Sequence, residues 1–163
     1  MTRSWVVNAS PLITLCKVSQ QNLLFQLTDQ LILPHAVQQE IEAGAEDDPA
    51  KIWLSYQPLS VIQIIPDSMI LGWDLGAGET AVLSYAVQNK GWTAVIDDGA
   101  ARRCAKTFNL PLIGTLGIVL RAAKQGILPA AAPVLRDLVD AGLRLNNVLI
   151  RQALAQTTGE RWD

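Results

Sequence analysis

The sequence contains few of the residues that build disulfides or zinc sites. It has two cysteines and one histidine among 163 residues. Cys16 and Cys104 both lie in apolar helical patterns, without Cys-x-x-Cys spacing and without companion histidines. We therefore expect buried thiols in a reducing compartment, rather than a redox pair or a zinc centre.

Long hydrophobic runs are also missing. No apolar run approaches the ~20 residues of a membrane span, and the N-terminus has no basic leader followed by an apolar core and a cleavage site. A cytoplasmic protein that does not enter a membrane is expected. Hydrophobic residues nevertheless make up 50% of the chain, which is high for a soluble monomer. We therefore expect a second subunit to cover part of the apolar surface, as in a homodimer.

An excess of positive charge is absent, since the formal net charge is -2. Any nucleic-acid contact must then use a local basic patch. Arg102 and Lys106 are one helical turn apart with Arg103 beside them, and Lys17 follows the first predicted strand. These residues form either such a patch or an ordinary solvated helix face.

What the sequence does contain is a regular alternation of strands and helices. Strands are predicted at 5–8, 30–33, 61–65, 93–96 and 111–113. Helices are predicted at 10–16, 22–27, 34–44, 49–56, 78–89, 99–108, 115–125, 133–141 and 147–156, with Ser10 and Thr115 as N-caps and 67–77 irregular. This order predicts an α/β fold, a three-layer α/β/α sandwich around a mainly parallel sheet. We expect one domain over 1–163, with a helical extension from about 127.

Three carboxylates occupy positions where the local pattern predicts inward-facing residues. Glu40 and Glu79 lie on the apolar stripes of their helices, and Asp97 closes an apolar strand. Right-handed crossovers bring strand ends to one edge of the sheet. That edge is expected to collect Asn8, Ser10, Glu79, Asp97 and Thr115.

Like charges that share a low-dielectric site must lose protons unequally, meet cations or bind a metal. A hard divalent cation is the simplest solution for Glu40, Glu79 and Asp97. In the alternative, each carboxylate separately meets an arginine or a helix N-terminus elsewhere in the fold.

Four short segments, in this order and spacing, resemble PIN domains over about residues 5–125. They are Val7-Asn-Ala-Ser-Pro-Leu-Ile13, Leu33-Pro-His-Ala-Val-Gln-Gln-Glu-Ile41, Gly76-Ala-Gly-Glu-Thr-Ala81 and Ile96-Asp-Asp-Gly-Ala-Ala-Arg-Arg103. PIN domains are metal-dependent ribonucleases with an acidic cluster on a parallel sheet. Small stand-alone prokaryotic members are often toxins of toxin–antitoxin pairs, and the chain looks like one of these.

The resemblance assigns a role to each matching position. It implies that Asn8 occupies the first acidic site, Glu40 the second, Glu79 the third and Asp97 the fourth, with Asp98 as the alternative for the last. Substrate-binding roles are implied for the hydroxyls of Ser10 and Thr115 and for the basic side chains of Lys17, Arg102, Arg103 and Lys106.

The departure from the family pattern is Asn8, because an amide oxygen can ligate Mg²⁺ or Mn²⁺ but brings no negative charge and accepts no proton from water. Metal affinity is therefore expected to be weaker than with four acids. The implied partners are RNA and an antitoxin, a small protein that places a basic side chain in the acidic pocket.

Two other functions fit parts of the sequence. A degenerate PIN-like binding module would have lost turnover because of Asn8 and would act through a protein partner. The segment 76–81 also fits the G-x-G-x-x-A dinucleotide fingerprint. That alternative is weakened because no predicted strand runs directly into Gly76 and because Glu79 would face the pyrophosphate.

Overall fold

A computed structural model of the chain describes residues 2–57 and 59–163. Within these ranges the sheet has five strands: β1 (Ser4–Val7), β2 (Gln30–Pro34), β3 (Ser60–Ile62), β4 (Trp92–Val95) and β5 (Leu112–Ile113). All neighbouring strands are parallel, in the order β3-β2-β1-β4-β5. The predicted α/β/α sandwich with a parallel central sheet is confirmed.

Helices connect the strands and continue beyond the last one. They are α1 (Ala9–Lys17), α2 (Leu23–Gln26), α3 (His35–Glu42), α4 (Pro49–Tyr56), α5 (Ser68–Leu71), α6 (Ala77–Gln88), α7 (Gly99–Thr107), α8 (Thr115–Lys124), α9 (Ala132–Asp140) and α10 (Asn147–Thr157). None of these helices is long and apolar enough to cross a bilayer.

The central strand β1 sets the position of the site. All four of its residues are buried, and Val6 pairs with Ile32 of β2 on one side and with Ala94 of β4 on the other. The chain first builds the sheet outward from β1 through β2 and β3, and then returns to add β4 and β5 on the opposite side. In open parallel sheets such a reversal opens a crevice at the carboxyl ends of the two strands concerned, here β1 and β4.

The C-terminal helices pack against the body of the fold. Helix α9 contacts α1 and α8, and α10 contacts α8. Leu135, Leu138, Ile150 and Leu154 are fully buried and belong to the same hydrophobic core as the strands. Val148 and Leu149 of α10, in contrast, are 54% and 49% exposed.

Several local predictions need correction. The residue before α1 is Asn8, so Ser10 lies inside the helix instead of capping it, and Gly114 rather than Thr115 precedes α8. The supposedly irregular segment 67–77 contains α5, which Asp67 caps by accepting a hydrogen bond from the Met69 amide at 2.9 Å. Strand β3 ends at Ile62 instead of residue 65.

Both cysteines are buried, as predicted. Burial, with a smaller contribution from the negative charge of Asp48, raises the pKa of the Cys16 thiol to about 12. Burial also raises the pKa of Cys104. Both thiols therefore remain protonated and unreactive near neutral pH.

Candidate functional site

The site lies at the carboxyl edge of the sheet, where β1 and β4 end side by side. Asn8 directly follows β1, and its backbone amide donates to the Val95 carbonyl of β4 at 3.1 Å. Asp97 and Asp98 follow β4, and Glu79 lies in the first turn of α6. The predicted meeting of these segments at one edge is therefore observed.

Asn8 is a buried polar residue of the site, with 3% of its surface exposed. Its amide donates a hydrogen bond to Glu79. Its side-chain oxygen Oδ1 is buried and has no hydrogen-bond donor among the described residues. An unpaired buried carbonyl oxygen is costly, so its retention calls for a functional explanation.

Glu40 is exposed, so the prediction that its side chain points inward is wrong. It lies in the last turn of α3, and its Oε1 accepts a hydrogen bond from the Gly78 amide at 2.8 Å. A Cβ on Gly78 would lie 2.6 Å from this Oε1 and 3.0 Å from Asn8 Oδ1. Glycine at this position therefore lets the start of α6 approach both oxygen atoms, which lie close to the same point.

Glu79 is half-buried and stands in a field of like charges. Burial raises the pKa of its carboxyl above the usual value, and the negative charges of Asp98 and Glu40 raise it further. A hydrogen bond from its own backbone amide and the one from Asn8 act in the opposite direction. Glu79 is therefore the carboxylate on which the charges of both Asp98 and Glu40 act, and we call these three residues the acidic group.

Asp97 and Asp98 have different partners. Asp97 accepts hydrogen bonds from Thr115 at both oxygens, from the backbone amide at 2.8 Å and from the hydroxyl at 2.6 Å. Asp98 caps α7 through one oxygen, which accepts from the Ala101 amide at 3.0 Å. Asp98 is exposed and leaves its other oxygen without a protein donor among the described residues.

A cleft of about 450 Å³ opens onto these acids, lined by Ser10, Thr14, Glu79, Asp97, Asp98 and the loop of Gly142, Leu143 and Arg144. We call it the acidic cleft. The loop between α9 and α10 contributes to this cleft, although no motif of the sequence indicates it. The glycine at its start was the only local signal, and it marks the end of a helix without indicating where the loop lies.

The predicted basic residues do not line the acidic cleft. Arg102 is half-buried and donates through Nη1 to the Ile96 carbonyl at 2.9 Å. It lines an adjacent apolar cleft of about 440 Å³. Arg103 and Lys106 are exposed on α7, and Lys17 lines a separate depression with Asp137 and Asp140.

The atoms of the site that could ligate a metal are all oxygen atoms, and this is the ligand type that hard divalent cations prefer. The orphaned Asn8 Oδ1 beside Glu40 is the observation that fits such an ion best. Across residues 2–57 and 59–163, however, no three His, Cys, Asp or Glu side chains already stand close enough together to hold a metal. Ligation would therefore require Asn8 as a ligand or a rotation of the acidic side chains.

The dinucleotide alternative does not match this geometry. The strand before Gly76 is β3, which ends at Ile62, and α5 lies between the two. The strand–turn–helix unit that the fingerprint requires is therefore missing at this point.

Comparison with known proteins identifies the family. The family model described as DUF3368, PIN domain, matches residues 4–159. The chain belongs to the PIN domain family. PIN domains are generally nucleases, so this PIN domain has a nuclease fold with its acids at the expected edge of the sheet. No curated protein matches the chain.

Proposed function

We propose that this PIN domain is a divalent-metal-dependent endoribonuclease that hydrolyses RNA phosphodiester bonds in the acidic cleft. One observation carries the proposal. Glu79 has a raised pKa because it is partly buried beside Asp98 and Glu40, and a buried amide oxygen of Asn8 without a donor completes the same group. Repulsion between these carboxylates lowers the stability of the folded protein when no cation is bound, and it therefore favours the binding of a cation.

The proposed ion is Mg²⁺ or Mn²⁺, held by Asn8, Glu40 and Glu79 together with Asp97 or Asp98. Such an ion supplies a water of lowered pKa and neutralises charge on the scissile phosphate. Between the two aspartates, the contacts favour Asp98. Its charge acts on Glu79, whereas both oxygens of Asp97 are already hydrogen-bonded to Thr115.

The residues themselves have separable tasks in this proposal. Glu40 and Glu79 bring negative charge, and Asn8 brings a neutral oxygen and holds Glu79 in orientation through its amide. The exposed hydroxyl of Ser10 lies at the wall of the cleft, where it can donate to a phosphate oxygen. Thr115 keeps Asp97 in place.

The decisive experiment compares Glu79→Gln with a matched variant on a labelled single-stranded RNA. We expect Mn²⁺- or Mg²⁺-dependent cleavage that stops with EDTA and falls by roughly 10²-fold or more in Glu79→Gln. Glu42→Gln is the control, because Glu42 is exposed on α3 two residues after Glu40 and takes part in none of the contacts above. Cleavage that survives EDTA or the Glu79 substitution would refute the proposal.

The same assay separates the two aspartates. Asparagine keeps the helix cap at Asp98, so Asp98→Asn should retain stability and lose metal-dependent cleavage. Asp97→Asn should retain more activity than Asp98→Asn. The opposite order would assign the ligand to Asp97.

We also propose that the enzyme acts as the toxin of a toxin–antitoxin pair, and as a homodimer. The match of the PIN domain model to residues 4–159 supports the first statement. Exposed apolar side chains, including Ile65 at 83% and Met69 at 55%, support the second. Growth arrest by the wild type but not by Glu79→Gln tests the toxin role, and light scattering tests the dimer.

The second candidate function is a protein-binding module without turnover. Two observations favour it: Asn8 stands where an acid is expected, and Leu149, which is 49% exposed, lines the apolar cleft next to the acids. Absence of RNA cleavage with either ion, together with an intact fold, would support this function over the first.

A further inference from the structure

The loop between α9 and α10 brings one cation to the acidic cleft. Arg144 is the one basic side chain among the described residues that line this cleft, which Glu79, Asp97 and Asp98 also line. The loop follows the last strand by almost thirty residues, in the segment that the sequence indicated only as a helical extension. Its position is therefore a property of this fold that the motifs do not contain.

The backbone that carries Arg144 is fixed on both sides. Helix α9 ends in a Schellman motif, in which the Gly142 amide donates to the Val139 carbonyl at 3.0 Å and the Leu143 amide donates to Leu138 at 2.9 Å. Gly142 has a φ of +113°, and a Cβ there would meet no atom within 4 Å, so glycine is needed for its conformation and not for space.

Side chains anchor the same loop. Leu143 is only 8% exposed and belongs to the hydrophobic core. Asn146 then caps α10 by accepting from the Val148 amide at 2.7 Å. Arg144, between these two anchors, is held at the wall of the cleft with its side chain exposed to solvent.

Arg144 is not neutralised by the carboxylates that it faces. Among residues 2–57 and 59–163 the only ion pair within 4.0 Å joins Lys51 and Glu46, at 2.8 Å. A guanidinium whose task was to compensate the acids would lie within hydrogen-bonding distance of one of them. Its donors remain available to an anion that enters between the loop and the acids.

The rest of the lining indicates which anion this is. The cleft offers carboxylates, the hydroxyl of Ser10 and one guanidinium, while the Thr14 hydroxyl already donates to the Ser10 carbonyl at 2.8 Å; no aromatic side chain lines the cleft among the described residues. Bases are gripped by stacking on aromatic rings, whereas phosphates are bound by hydroxyls and guanidinium groups. The cleft therefore suits the nucleic-acid backbone and not the bases.

We propose that Arg144 forms a phosphate-binding subsite that holds one backbone phosphate of a single-stranded RNA across the acidic cleft from Glu79. The inference rests on the proposed ribonuclease function. It adds that the C-terminal segment is part of the substrate site. Because the contact is to the backbone, it contributes affinity that is the same for different sequences.

The test measures binding without cleavage, in the Glu79→Gln background with Mg²⁺, using a fluorescein-labelled single-stranded RNA at several KCl concentrations. Arg144→Ala should weaken binding roughly tenfold, and the slope of log K against log salt should fall by about 0.7, the value for one phosphate contact on a single strand. Arg144→Lys should keep the slope. The control is Arg161→Ala, an exposed arginine outside the cleft, which should change neither quantity.

The outcomes separate this inference from the function on which it rests. An Arg144→Ala variant with unchanged affinity and slope, or a parent that binds no RNA, would overturn the subsite. Tighter binding in Arg144→Ala would overturn it as well, since Arg144 would then be occupied by the acids. If the wild type cleaves no RNA but binds it with the Arg144-dependent slope, the ribonuclease proposal fails and the subsite stands.

Discussion

Replacing Asn8 by aspartate tests whether the group around Glu79 is under electrostatic strain. The substitution adds a carboxylate at a position that is only 3% exposed, next to Glu79 and Glu40. It also removes the amide that donates to Glu79. In the absence of metal, both changes act against the folded state.

The expected cost follows from these two contributions. Two like charges at roughly 4 Å repel by about 4 kcal/mol at an effective dielectric constant near 20, and a lost hydrogen bond to a charged group costs about 1.5–3 kcal/mol. The two carboxyl groups can instead share one proton, and the free energy of that protonation sets an upper limit on the total cost. Each unit by which the pKa must rise to bind the proton costs about 1.4 kcal/mol. At pH 7.5 we expect Asn8→Asp to lower the free energy of unfolding by about 3–5 kcal/mol in EDTA.

Metal should reduce the difference in stability between the two proteins. A further carboxylate ligand is expected to tighten binding of Mn²⁺ by roughly tenfold or more, because affinity rises with ligand charge. A ligand at a concentration of 100 times its Kd stabilises the folded state by about 2.7 kcal/mol. The variant should therefore recover much of its stability at Mn²⁺ concentrations that leave the wild type almost unchanged.

Urea unfolding with and without Mn²⁺, combined with calorimetric titration, measures both effects. Gln152→Glu is the control, since it adds the same charge at an exposed position in the middle of α10, outside the acidic cleft. The deficit of Asn8→Asp in EDTA should shrink as the pH falls and the carboxyl pair takes up a proton. Equal stability of Asn8→Asp and wild type in EDTA at pH 7.5, with equal Mn²⁺ affinity, would refute this account of the site.

Two further predictions concern the groups that hold the site together. Thr115→Val removes the hydroxyl that donates to Asp97, and should lower the urea-derived free energy of unfolding by about 1–2 kcal/mol, against less than about 0.5 for the exposed helical control Thr107→Val. Burial acts to raise the pKa of Glu160, but hydrogen bonds with Thr158 and the first amides of α9 outweigh it and lower this pKa. Glu160→Gln should therefore lower the free energy of unfolding by about 1 kcal/mol at pH 7. This deficit should vanish as the pH falls below the usual glutamate range, because wild-type Glu160 is then protonated as well. A deficit that stays constant across pH would contradict this account.

Strong local signals made much of the fold predictable from the sequence. Helix α4 has the bounds that were predicted, because Asp48 caps it and Pro49 occupies its first turn. The buried strands were found because runs of β-branched and apolar residues between turn signals leave few alternatives. The four-residue helix α5 was missed, since one turn carries no measurable periodicity.

The site was only partly predictable, for reasons that differ by residue. Helical periodicity assigns a residue to a face of its own helix, but it does not reveal where that helix ends relative to the sheet. Glu40 therefore lies on the apolar stripe of α3 and is still exposed, although Ile41 in the same last turn is buried. Arg144 carries no local signal at all, since only tertiary packing of α9 and α10 brings its loop to the cleft.

The neutral residue at position 8 then has a physical consequence for the whole site. With Asn8, Glu79 receives a hydrogen bond where an aspartate would repel it, so the acidic group is less costly without metal and, in the proposed site, should bind metal less tightly. The negative charge that Asn8 lacks is available from Asp98, which lines the acidic cleft together with Glu79 and whose charge acts on Glu79. If the proposed site replaces charge at the sheet edge by charge at the start of the next helix, its activity should depend more strongly on Asp98 than on Asp97, and the paired asparagine variants measure this dependence.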